Sequence, residues 1–150
     1  MARSTNPDKA AVIAVLKAAD HLRRFYTTLF APHDLTLQQY RRGSFTTARL
    51  GFREFLRLYA DDEHAPDALY YVGESFAAEN PDSAAAVYQD VVKRYPNSPR
   101  APSALYKLGL LAEQRGDKAG ARTYYARVLA GYPRSDEANL ARDKLQTLGR

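Results

Sequence analysis

The chain contains no cysteine. That excludes a disulfide framework, a thiolate metal site and a cysteine nucleophile, and it leaves the redox compartment open. No apolar run approaches the roughly 18 residues of a membrane span. The opening stretch from Met1 to Lys9 lacks an apolar core followed by a small-residue cleavage site. The chain as written is therefore expected to be soluble and untargeted, or to be the mature part of a longer exported precursor. No stretch alternates apolar and polar residues at period two, so no strand is expected. His21, His33 and His64 stand far apart, without the spacing of a zinc-binding helix. Asp61-Asp62-Glu63 is too short for a calcium loop and reads as a solvated turn. Gly43, Gly116 and Gly120 are accounted for by turns and close packing, not by a phosphate loop. Ser103, Ser135 and the other hydroxyls have no positioned base beside them. No catalytic residue, metal or cofactor is expected.

What is present fits one ordinary domain. The 150 residues suffice to bury a continuous core, and 45% apolar with 26% charged residues is a globular composition. The net charge of +5 is spread along all segments, so it reads as solvated helix faces and no specific nucleic-acid partner is expected.

The main signal is a repeat. Ala65-Pro66-Asp67-Ala68-Leu69-Tyr70 returns 36 residues later as Ala101-Pro102-Ser103-Ala104-Leu105-Tyr106, each followed by a glycine, Gly73 or Gly109. Gly43, Ala48, Phe52, Leu56, Tyr59 and Ala65 stand 73 positions before Gly116, Ala121, Tyr125, Leu129, Tyr132 and Ala138. Self-similarity at this period marks stacked units, each too small to bury its own apolar face.

Helical punctuation divides the chain. Asn6, Pro7 and Asp8 suit the start of a helix running to about Phe30, with one apolar stripe through Val12, Val15, Leu16, Ala19, Leu22, Tyr26, Leu29 and Phe30. Ala31-Pro32-His33-Asp34 breaks it, and Thr36 with Gln39 forms a capping box for a short helix ending near Gly43. Further helices are expected from Ser44 as cap to about Tyr59, from Pro66 to a fade at Glu79-Asn80-Pro81, from about Asp82 to Tyr95, from Pro102 to Arg115, from Lys118 to Tyr132, and from the cap Ser135 to about Leu148. Within a pair, Gly73 and Gly109 on the first helix and Ala48, Ala84 and Ala121 on the second suit a close crossing. Phe52, Tyr88 and Tyr125 with Phe55, Val91 and Val128 fill the next layer.

Leu105, Leu108, Gly109, Ala121, Tyr125 and Pro133 have the spacing of the tetratricopeptide repeat consensus, and the region from about Leu35 to Leu148 resembles that family. The resemblance implies an all-α, right-handed α-solenoid of about three helix pairs, at residues 35–64, 65–100 and 101–134. A capping helix at 135–148 follows, and an N-terminal amphipathic segment at 1–34 precedes. It further implies a non-enzymatic scaffold that binds a protein or peptide segment. Its concave groove would be lined by Asp67, Tyr70, Glu74 and Ala78 in one unit and by Ser103, Tyr106, Leu110, Glu113 and Gln114 in the next. The phrases Ala65 to Glu74 and Tyr95 to Ala101 are similar to the C-terminal domain of the periplasmic Tol-Pal-associated cell-division coordinator. More distantly, they are similar to the lipoprotein of the outer-membrane assembly machine. A periplasmic, envelope role is what this implies, with a cytoplasmic one as the alternative.

Residues 9–40 resemble the opening of MarR-type transcriptional regulators, where a dimerisation helix lies. The likeness stops at Tyr40, where a winged helix-turn-helix would begin. It implies a regulator remnant, or a self-associating or capping segment using Val12, Val15, Leu16 and Leu22.

Overall fold

A computed structural model of the chain describes residue 38 and residues 40–149. Among the described residues there are six α-helices and no strand: α1 (Phe45–Leu58), α2 (Ala65–Phe76), α3 (Pro81–Arg94), α4 (Arg100–Gln114), α5 (Lys118–Gly131) and α6 (Asp136–Leu148). Each helix packs on the next in order, and α2, α4 and α6 also touch along the stack. This is an all-α solenoid of helix pairs, in which α2, α4 and α6 are first helices and α1, α3 and α5 are second helices. The N-terminal segment 1–34, with its stripe and the candidate self-association residues, lies outside the described residues.

The repeat period organises the core as the sequence predicts. Ala48, Phe52 and Phe55 in α1, Ala84, Tyr88 and Val91 in α3, and Ala121, Tyr125 and Val128 in α5 are all buried. The first helices face them with Gly73 and Gly109. A Cβ on Gly73 would stand 2.6 Å from Cε1 of Tyr88, and one on Gly109 would stand 2.7 Å from Cζ of Tyr125. Each glycine costs helix propensity, on the order of 1 kcal/mol. Burial of a whole tyrosine ring in the space left offsets it.

The turns follow from short polar residues and two glycines. Gly43 and Gly116 adopt φ of 78° and 77°, a conformation that disfavours any residue with a Cβ. Asp117 accepts from Gly120 N and Asn80 from Ser83 N, each capping a second helix. The expected cap from Ser44 does not form a side-chain bond; its carbonyl accepts from Ala48 N at 2.9 Å. Helix α4 starts at Arg100, two residues before Pro102, because proline suits any position of the first turn.

Between units the chain makes the same turn each time. Tyr59, Tyr95 and Tyr132 close their helices with φ near the same value, −135°, −129° and −136°. The amides of Asp62, Ser98 and Ser135 then bond back to those tyrosine carbonyls at 3.0 Å. The Tyr95 hydroxyl donates to the carbonyl of Ala60 and that of Tyr132 to the carbonyl of Pro96, tying each unit to the turn before it. Arginines make a second periodic tie. Arg49 donates to the carbonyl of Ser75, and Arg122 to that of Leu148, so a cation meets the negative end of the following first helix.

Helix α6 stands in the place of a first helix but differs on one face. Where α4 turns Leu105, Gly109 and Ala112 toward α5, the equivalent positions of α6 hold Arg142, Gln146 and Gly149, and all three are exposed.

Candidate functional site

The first helices α2, α4 and α6 touch one another along the stack, so their aligned positions define a continuous face. Aromatic residues lead into it. Tyr40 packs against Phe45 at 5.3 Å and Tyr71 at 5.2 Å between ring centroids, and Tyr71 stacks on Phe52. Tyr70 and Tyr106, equivalent in the repeat, lean on Tyr88 and Tyr125 with the same 44° tilt.

The predicted groove residues fall into three groups. Tyr106 and Leu110 are half-buried on α4 and offer surface, while Ala78 and Gln114 are exposed just at or past the helix ends. Tyr70 is corrected: it is only 7% exposed, roofed by the Arg100 guanidinium at 4.8 Å. It is a core residue whose ring the next unit covers. Asp67 and Ser103 are occupied in bridging units. Asp67 pairs with Arg100 at 2.5 Å, and Ser103 donates to Glu137. These two contacts are equivalent in the repeat although their chemistry differs.

Glu74 and Glu113 are also engaged. The Tyr88 hydroxyl donates to Glu74, which Lys107 meets at 3.1 Å; the Tyr125 hydroxyl donates to Glu113, which Lys144 meets at 3.1 Å. Each group joins a buried tyrosine, a carboxylate and a lysine from the following first helix. Burial, and then the bond to the carboxylate, pushes the hydroxyls of Tyr88 and Tyr125 above the ordinary tyrosine range. Tyr70 is raised by burial and by the charge of Glu74. Burial works to raise Glu113, but the Tyr125 bond and Lys144 outweigh it and hold the carboxyl below its usual value.

Lys107 and Lys144 are missing from the sequence expectations, yet a signal for them existed. Each lies 19 residues after its buried tyrosine. The carboxylates hid the pattern, because Glu74 directly follows the crossing glycine whereas Glu113 sits one turn beyond Gly109.

The face that remains has an aromatic and aliphatic surface, with its charges neutralised within the protein. Among the described residues no group of three or more metal-binding side chains lies together. No described helix is long and apolar enough to cross a membrane.

No curated protein matches the chain. A tetratricopeptide repeat family model matches residues 37–99 and 76–136, and so takes in α1 to α5. It does not reach back over most of residues 9–40, and the resemblance of that segment to MarR-type regulators falls almost wholly outside the described residues. Members of the matched family are typically non-enzymatic scaffolds that mediate protein–protein interaction. With helix pairs, crossing glycines and inter-unit turns all in register with that match, the chain belongs to the tetratricopeptide repeat family.

Proposed function

We propose that the protein is a scaffold that holds a segment of a partner protein along its inner face, and that it works in the cell envelope, in division or outer-membrane assembly. The observation that carries the binding mode is the state of the inner face. Tyr106 and Leu110 are partly open, while Glu74 and Glu113 are already held by tyrosine and lysine. Charge pairing within the scaffold leaves apolar and aromatic contact as the source of affinity. The envelope setting is supported by the likeness of Ala65 to Glu74 and Tyr95 to Ala101 to the envelope scaffolds.

Photo-crosslinking tests both parts. A benzophenone side chain is introduced at position 106 or 110 of the full chain, and at position 50 on the outer side of α1 as control. The expected result is a specific adduct from the two inner positions and none from the control. Absence of an inner-face adduct overturns the binding mode. A cytosolic protein as the captured partner overturns the envelope setting.

A further inference from the structure

A cleft of about 320 Å³ lies where α3, α4 and α5 meet. It is lined by Gln89, Val92 and Lys93 of α3, Leu108 of α4 and Arg127 of α5, so two cations and an amide stand beside two aliphatic side chains, with no carboxylate among them. None of the predicted groove residues lines it. The Arg127 guanidinium sits over the Tyr124 ring at 6.0 Å, and Gln89 Nε2 donates to the Tyr124 hydroxyl at 3.3 Å, so the two walls are tied through one ring. Neither Lys93 nor Arg127 pairs with a carboxylate among the described residues.

One repeat earlier the same positions hold Arg53, Leu56, Arg57, Val72 and Asp90. There Arg57 is held by Glu54 at 2.6 Å, and Asp90, in the place of Arg127, pairs with Arg94 at 3.6 Å. Leu56 is buried, whereas Val92 is half-buried. The exchange of aspartate for Arg127 therefore leaves an unpaired cation facing a second one, with part of an aliphatic side chain open between them. A carboxylate entering here gains charge-assisted bonds and meets no repulsion from the lining. The cations do not continue as a row. Ala86 lies one turn before Gln89, Thr123 and Ala130 lie one turn to either side of Arg127, and Asp82, a further turn back on α3, is taken by Arg115. A nucleic-acid backbone is held by many cations at once; one acidic side chain needs only these two.

We propose that this cleft is a second docking site, separate from the inner face, for a partner protein segment in which an acidic residue stands two positions from an aliphatic one. In an extended segment such side chains point the same way. Lys93 and Arg127 receive the carboxylate, and the aliphatic side chain rests on Val92 and Leu108. The equivalent place one repeat earlier does not take the same segment, because Asp90 stands where Arg127 would receive it and Glu54 already holds Arg57.

The probe is a peptide blocked at both ends, Gly-Leu-Gly-Glu-Gly, titrated to millimolar concentration into the full chain while backbone amide resonances are followed by NMR. The same peptide with glutamine for glutamate is the charge control, and a short oligothymidylate is the polyanion control. Saturable shifts are expected for the acidic peptide at the amides of Gln89 to Lys93 and Tyr124 to Val128. The glutamine peptide should bind about tenfold more weakly or worse. Arg127→Asp, which restores the charge of the preceding repeat, and Lys93→Glu on the opposite wall should each weaken binding about tenfold or more. Tyr106→Ala on the inner face should leave it unchanged, so failure here is distinct from failure of the inner-face reading. No saturable shift overturns the proposal. So does binding that survives both cleft variants, that is lost in Tyr106→Ala, or that is equal for the glutamine peptide. Tighter binding of the oligothymidylate at the same amides overturns a protein segment as the occupant. Both cleft variants change exposed side chains, and an unchanged spectrum away from the substituted position keeps unfolding from being read as lost binding.

Discussion

In the α2/α3 pair the carboxylate that meets the buried tyrosine follows the crossing glycine directly; in the α4/α5 pair it comes a turn later. The two pairs otherwise match in glycine, tyrosine and following lysine. What recurs is therefore whatever creates space or fills it. The residue that satisfies the tyrosine hydroxyl only has to reach it, and two helix positions do so. A buried hydroxyl without an acceptor would cost about 1–3 kcal/mol, which is reason enough for a carboxylate to persist at one position or the other.

The comparison breaks most forcefully at its centre. Tyr88→Ala and Tyr125→Ala each empty a fully buried site and remove the hydroxyl's bond to a carboxylate; each should cost about 4 kcal/mol in urea unfolding. Tyr124→Ala, at a half-buried neighbour, should cost much less. If the two pairs are equal, the two centre losses agree.

Adding a methyl tests the same contact from the other side. Gly73→Ala and Gly109→Ala should each destabilise by about 2 kcal/mol, although alanine is the better helix former, because the new Cβ meets a tyrosine ring held by its surroundings. A stabilised variant would show that the ring can move aside.

Alkaline pH offers a third comparison. Tyr70, Tyr88 and Tyr125 have folded values above the ordinary value near 10, to which they return on unfolding. Below about pH 10 both states are protonated and stability is unaffected; above it the unfolded state releases protons that the folded state retains. Stability should fall there by up to about 1.4 kcal/mol per pH unit for each such tyrosine. Absorbance near 295 nm should show these tyrosines ionising only as the fold is lost. Tyr88→Phe and Tyr125→Phe should flatten the dependence. On the acid side, Glu113 contributes stability that is present above the ordinary carboxylate value and is lost as pH falls through its lowered one.

The smallest expected effects lie at the junctions. Tyr95→Phe and Tyr132→Phe each remove one bond to a carbonyl and should cost about 1 kcal/mol. Gly131→Ala, on an open helix face, should be neutral or stabilise by about 0.5–1 kcal/mol. Thermal unfolding resolves both signs.

The skeleton was legible because it rests on positions that repeat. Glycine opposite tyrosine, the glycine turns and the closing tyrosines each require a residue type at a fixed spacing, and the helix boundaries followed from them within a few residues. The inner face was only partly legible. Tyr70 and Tyr106 are equivalent by register and nearly identical in tilt, yet one is roofed by Arg100 and the other is open, because the next unit supplies Glu137 where the first supplies arginine. Exposure depends there on a neighbour about 30 residues away.

The tyrosine bonds to the carbonyls of Ala60 and Pro96 give the junctions a kind of freedom. A hydroxyl that grips the main chain asks nothing of the side chain beside it, so alanine serves as well as proline. The bends downstream are then interchangeable fittings on a common bracket: Asp61-Asp62-Glu63 at one, Asn97-Ser98-Pro99 at the next, Arg134-Ser135-Asp136 at the last. Anchoring each unit through its backbone lets the edge of the solenoid change chemistry from one bend to another without the stack having to be rebuilt.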